Sequence, residues 1–231
     1  MPGEGLGTRP DLAADGVKPR AASQDVVRTL EQRARAPREG QSVERPDMEV
    51  LAWDDAIAVV TEVYGDERVS RWLDTKGVGV YPQSDIVEVE DLDTDGNVVD
   101  VRRLIGHYRE GKLRISTRCG RYQGFFNPGD DFVDEGAPTA RDGFARILWH
   151  EFAHAVHDRT SPELQTRIHD AWVSAVRTGA FVSGYARDTR EEWWDEVFAA
   201  YRYEPDALAD IDPDGSIRAL VRRILRAEDL E

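Results

Sequence analysis

Three of the five histidines in this 231-residue chain fall within Ile147-Leu148-Trp149-His150-Glu151-Phe152-Ala153-His154-Ala155-Val156-His157. Residues four apart on an α-helix share a face one turn apart, so His150 and His154 can aim ring nitrogens at one ion about 2.0–2.1 Å away, the distance typical of zinc. Glu151 projects beside such an ion rather than at it, where its carboxylate can take a proton from a water that the ion holds. One helix thus offers two ligands and a base, the H-E-x-x-H arrangement. Positions 147–149, 152, 153, 155 and 156 are uncharged and free of proline, as a helix at the bottom of a cleft requires. Buried histidines and glutamates need partners, since each unpaired polar group costs about 1–3 kcal/mol. His157 shares the ligand face but stands two turns from His150, too far to share its ion, and is expected to line the cleft or to support a ligand from behind. His107 and His169 have no such context and are expected as surface or core residues.

A catalytic zinc takes three protein ligands and keeps a fourth position for water. The extended metzincin pattern would need Gly at 157 and His at 160, where this chain has His157 and Thr160. A glutamate from a later helix is the better candidate. In Thr189 to Tyr203, TREEWWDEVFAAYRY, the residues Trp193, Trp194, Val197, Phe198 and Tyr201 share an arc of roughly 140° that forms a core face. Glu192 and Glu196 lie four apart on the neighbouring arc with Ala199 and Ala200, whose small side chains allow another helix to come close. Glu192 could coordinate, and Glu196, one turn on, could accept a hydrogen bond from the second nitrogen of a ligand histidine. An ordinary acidic flank beside a core stripe has the same spacing.

Helices and strands must bring these segments together. Residues 1–47 contain ten Gly or Pro and few large apolar side chains, and they are expected as a disordered or docking arm. Within it, Ser23 to Arg35 could form a short docking helix through Val26, Val27 and Leu30. Residues 48–231 are expected as one domain. Its first part has helical spacing from Asp54 and a second short helical stretch that stops at Gly77. The runs 78–81, 86–90, 98–108 and 112–117 are β-branched and separated by Asp95-Gly96 and Glu110-Gly111, which predicts a small antiparallel or mixed sheet. A loop is expected over 120–138, then helices over 142–157, 162–178, 189–203 and 217–227.

Forty-five acidic against thirty basic residues give a formal charge of −15, which argues against nucleic-acid backbones and anionic membranes. The arm is neutral, with eight charges of each sign, so the whole excess belongs to the domain. Seven acids fall between Asp85 and Asp100, which predicts a strongly negative sheet edge. Cys119 is the single cysteine, so neither an internal disulfide nor a thiolate zinc cluster can form. The absence of a secretory leader pattern and of a membrane-length apolar run makes a cytoplasmic location the expectation, with a packaged or specially exported protein as the other possibility.

His150-Glu151-Phe152-Ala153-His154-Ala155-Val156, then Ser183-Gly184-Tyr185-Ala186, then Glu192-Trp193-Trp194-Asp195-Glu196-Val197-Phe198 resemble the catalytic domain of anthrax lethal factor and its relatives. These gluzincin metallopeptidases include the Pro-Pro endopeptidases. Both spacings of the family pattern match, seven residues from Tyr185 to Glu192 and four from Glu192 to Glu196. Ala153 stands where the family has Gly, and His157 where lethal factor has an acid. The resemblance covers roughly residues 140–205. It implies Glu192 as third zinc ligand, Tyr185 as the hydroxyl that meets the transition state, and Glu196 as the acid behind a ligand histidine. The expectation is an α+β, zincin-like domain with one catalytic Zn²⁺, hydrolysing a peptide or protein substrate, with Lys112 to Thr117 as the edge strand that receives it. A non-catalytic structural component and a delivered protease toxin are the alternatives, and the arm is a candidate for docking a partner.

Overall fold

In a computed structural model of the chain, residues 49–119 and 139–231 are described, apart from Ile86, Asp93, Gly96 and Glu204. Two helices come first, α1 (Trp53–Gly65) and α2 (Glu67–Lys76). Five strands follow: β1 (Gly79–Gln83), β2 (Val87–Leu92), β3 (Val98–Leu104), β4 (Gly106–Arg109) and β5 (Lys112–Ser116). The described residues from 139 onward are mostly helical: α3 (Ala140–Arg159), α4 (Pro162–Thr178), a 3₁₀ turn (Tyr185–Arg187), α5 (Arg190–Tyr203), α6 (Pro205–Ile211) and α7 (Ser216–Ala227). The fold is α+β and mostly helical, with a small mixed sheet. The expected arm, its short helix at 23–35 and the expected loop 120–138 lie outside the described residues. Among the described helices none is long and apolar enough to cross a membrane.

The strands make two sheets rather than one. Three pair in the order β1-β5-β4, with β1 parallel and β4 antiparallel to β5, while β2 and β3 form a separate antiparallel ribbon. The run 98–108, expected as one strand, breaks at Ile105 into β3 and β4, which serve different sheets. The acid-rich stretch therefore builds most of the ribbon instead of an edge of the main sheet. Lys112 to Thr117, expected at the edge, is central as β5. The turn Glu110-Gly111, with φ of 52° and 76°, folds β4 back onto one side of it, and β1 takes the other. The edge strand on that side is β4. Ser116 N–H donates to Ile105 C=O at 2.8 Å, so alternation along the pair turns the backbone groups of His107 and Arg109 toward β5. Those of Gly106 and Tyr108 face the open edge.

Helix α3 runs through the middle of the molecule, against β4 and β5 on one side, α1 on another and α5 on a third. Thr139 caps it, its hydroxyl oxygen accepting from Asp142 N–H at 3.1 Å. Phe152 meets Trp72, Trp149 and Phe198 at ring-centroid distances of 5.0, 5.2 and 6.0 Å. Trp194 of α5 donates its indole N–H to Ala153 C=O at 3.1 Å, and Ala199 and Ala200 of the same helix are buried. The small side chains at Ala153, Ala199 and Ala200 let two helices approach while large aromatics fill the flanks. Helix α6 was not expected; Pro205 at its first position and Asp206 in its first turn are the start signals that mark it.

Gly77 ends α2 at φ 65°, and Gly65 ends α1 without a positive φ; a Cβ at either meets nothing within 4 Å. The same substitution should thus act with opposite sign. Gly77→Ala is expected to lower stability by about 1 kcal/mol through backbone strain, and Gly65→Ala to raise it by about 0.5–1 kcal/mol by restricting the unfolded chain. Urea midpoints shifted the same way by both would contradict this account.

Candidate metal centre

Two histidines of α3 meet three acids of α5. His150 Nδ1 donates to Glu196 Oε1 at 2.8 Å; a carboxylate only accepts, so this bond fixes a proton on Nδ1. His154 Nδ1 lies 2.8 Å from Asp195 Oδ2. With both Nδ1 atoms engaged, the two Nε2 atoms turn toward Glu192 Oε2, at 3.2 Å from His150 and 3.9 Å from His154. That oxygen is buried and makes no hydrogen bond of normal geometry. Two imidazole lone pairs facing a carboxylate oxygen repel one another unless a proton or a cation lies between them. Donors around a tetrahedral ion at 2.0–2.1 Å stand about 3.3–3.4 Å apart; the His150 contact is near that separation and the His154 contact is longer. The ligand atoms of His150, His154, Glu192 and Asp195 all lie within 4.8 Å of one another, and the group can hold a metal ion. Two imidazoles and a carboxylate are a donor set that suits zinc.

The electrostatics follow from burial and pairing. Burial pulls the His150 imidazole down, but the Glu192 and Glu196 carboxylates beside it outweigh that and hold the ring well above its ordinary range. His154 is likewise opposed by burial, yet the Asp195 carboxylate raises it to about 9. Burial would lift Glu196, but His150 and then Arg146 bring it down to about 2. Arg146 Nη2 stands 3.6 Å from Glu196 Oε2, and both side chains are buried. Asp195 has no such arginine in its balance, and burial pushes it up to about 6 against the pull of His154.

The donors open into a cleft of about 510 Å³ whose walls include Gly106 and Tyr108 of β4, Ile147, Glu151, His157 and Tyr185. Glu151 is buried to 6% exposure, and desolvation lifts its carboxyl to about 7 despite the two histidines nearby. Tyr185 stacks on His150, with centroids 5.8 Å apart and planes at 24°, and its hydroxyl hydrogen-bonds the Glu192 carboxylate. The structure therefore brings together His150, Glu151, His154, Tyr185, Glu192 and Glu196, every residue the sequence singles out for the site. His157 lines the cleft outside the donor group, as one of its two expected places. His107 also lines the cleft, which its sequence context did not suggest, whereas His169 packs near Trp172 on α4.

Two residues of the site carried no role in the sequence reading. Asp195 follows Glu192 by three, a spacing that keeps both on one helical face and that would have marked it. Arg146 precedes His150 by four and so shares the ligand face, but an arginine in that position reads as solvent-exposed until the burial of α3 is known.

His150→Ala and Glu192→Gln should each abolish tight zinc binding, while Asp195→Ala, which frees the His154 ring to rotate, should weaken it about 10–100-fold. Competition against a chromophoric chelator measures all three; unaltered affinity in Asp195→Ala would remove its orienting role. Ligand histidines must lose their extra protons to bind metal. Because both rings are held above their ordinary range, zinc uptake near neutral pH should release protons and strengthen as pH rises, which calorimetry in buffers of different ionisation enthalpy reads directly. In comparison with known proteins, the chain matches no family model, no curated protein and no solved structure.

Proposed function

We propose that this protein is a zinc-dependent endopeptidase with a zincin-like fold of the gluzincin type. The observation that carries the reading is the convergence of His150 Nε2, His154 Nε2 and Glu192 Oε2 at the floor of a cleft in which a buried glutamate, Glu151, stands beside them. His150, His154 and Glu192 would hold the ion. When bound, zinc would lower the pKa of its water to about 7 and polarise a carbonyl.

The chain's own groups supply the rest. Glu151, lifted to about 7, is poised to accept a proton from the attacking water and return it to the leaving amine at neutral pH. Tyr185 presents a hydroxyl at the same floor, where it can donate to the carbonyl oxygen as negative charge develops; losing such a donor typically costs about 2.7–4 kcal/mol. Glu196 and Asp195 keep the ligand rings in one orientation. The outward N–H and C=O groups of Gly106 and Tyr108 can pair with an extended peptide, so β4 takes the substrate role first expected of β5. A purely structural zinc is closed by four protein ligands, whereas these donors face an open cleft.

Glu151→Gln keeps the shape of the side chain and removes its proton affinity. It should bind zinc like the wild type and cleave no member of a peptide library that the wild type cleaves. Proteolysis retained in that variant would sink the mechanism, and zinc bound without any turnover by the wild type would favour the structural alternative.

A further inference from the structure

Gly106 lies where the sheet edge meets the central helix. Its φ is outside the left-handed region, so the backbone conformation does not call for glycine. Space does. A Cβ built there would stand 2.5 Å from Glu151 Oε1, 2.5 Å from Ile147 Cγ2 and 3.0 Å from Glu151 Cγ. Ile147 is 2% exposed and branched at the carbon next to the backbone, so it cannot swing aside; the Glu151 carboxylate, at the end of a longer side chain, is the group that must move. Two residues along the same face, Tyr108 carries a whole phenol, whose hydroxyl donates to Asp158 Oδ2 at 3.1 Å. The strand therefore touches α3 at Gly106 and has diverged from it by Tyr108. Gly106 is also one of the two β4 residues whose backbone groups face the open edge.

We infer that Gly106 is a positioning residue: the missing side chain lets β4 bear on the Glu151 carboxylate and sets it level with the edge groups that an extended peptide pairs with. The substrate residue paired with Gly106 then has its peptide bond beside Glu151, so the register of cleavage is set by the one place where the strand has no side chain. This inference rests on the peptidase reading of the site.

The test compares Gly106→Ala, Ile147→Leu and the double variant of the full chain. Ile147→Leu removes the methyl group that the Cβ introduced by Gly106→Ala would strike, while keeping the volume of the core. Gly106→Ala should bind zinc as the wild type does, since no ligand is touched. Its kcat should fall on the order of 100-fold, as for a misplaced catalytic group, with KM little changed. Adding Ile147→Leu should recover the thermal midpoint and leave kcat low. A double variant whose kcat recovers together with its midpoint would show that Gly106 serves packing alone and overturn the inference. An unchanged kcat in Gly106→Ala, or a loss of zinc affinity as large as the loss of kcat, would overturn it as well. A wild type that binds zinc and cleaves nothing would remove the peptidase reading instead. The positioning is then decided by crystal structures of the wild type and the double variant: a displaced Glu151 carboxylate upholds it, and a superimposable one overturns it.

Discussion

Ionisable groups taken out of water must be neutralised where they stand, and that requirement organises the contact between α3 and α5. Glu151, Glu192, Asp195 and Glu196 bring four carboxylates into or beside the donor cluster, with Arg146 as the guanidinium paired among them. Each ion moved from water to such a place costs several kcal/mol unless it is paired. Arg146 answers one carboxylate, and a divalent cation, if held by the proposed ligands, would answer two. Glu151 is the remaining one, and burial raises its carboxyl against the pull of His154 and His150. Under the proposed function this balance matches the geometry, with the three acids of α5 holding the histidines and Glu151 standing apart to exchange protons.

The packing makes that balance possible. A surface helix turns its charges outward, but α3 is enclosed on three sides and turns Arg146, His150 and Glu151 into the molecule. It can do so only because α5 arrives with matching acids at close range. Ala153, Ala199 and Ala200 clear the way, and the Trp194 indole, bonded to Ala153 C=O, fixes the height of one helix against the other. A shift of α5 along α3 would break both carboxylate–imidazole contacts at once, so the aromatic layer and the candidate donors are parts of one interface.

The parts of the site that were legible in the sequence are those written on a single helical period. His150, Glu151 and His154 declare themselves through a four-residue spacing within one turn of helix. Glu192 and Glu196 do so less sharply, because an ordinary acidic flank has the same spacing. Asp195 lies in the same stretch, yet its role depends on which face α5 turns toward α3, which no local pattern states. The sheet was less legible for the same reason. The β-branched run from Val98 to Tyr108 is continuous, and its division at Ile105 is decided by pairing with two different partners. A lone glycine in such a run marks a bulge or a close approach, and what approaches Gly106 is forty residues and more away in the chain.

Whether the centre is open or closed turns on Asp195. Its carboxylate lies near enough to the donors to be counted among them, and as a fourth ligand it would complete the tetrahedron and leave no place for water. Its Oδ2 is already 2.8 Å from His154 Nδ1. Moving that oxygen onto the ion would release the ring that it orients and strip His154 of the contact that aims Nε2 at Glu192. A carboxylate cannot serve both ends of the same imidazole. The 2.8 Å contact thus favours Asp195 behind His154, and an ion held by His150, His154 and Glu192 would then keep a position open toward the cleft.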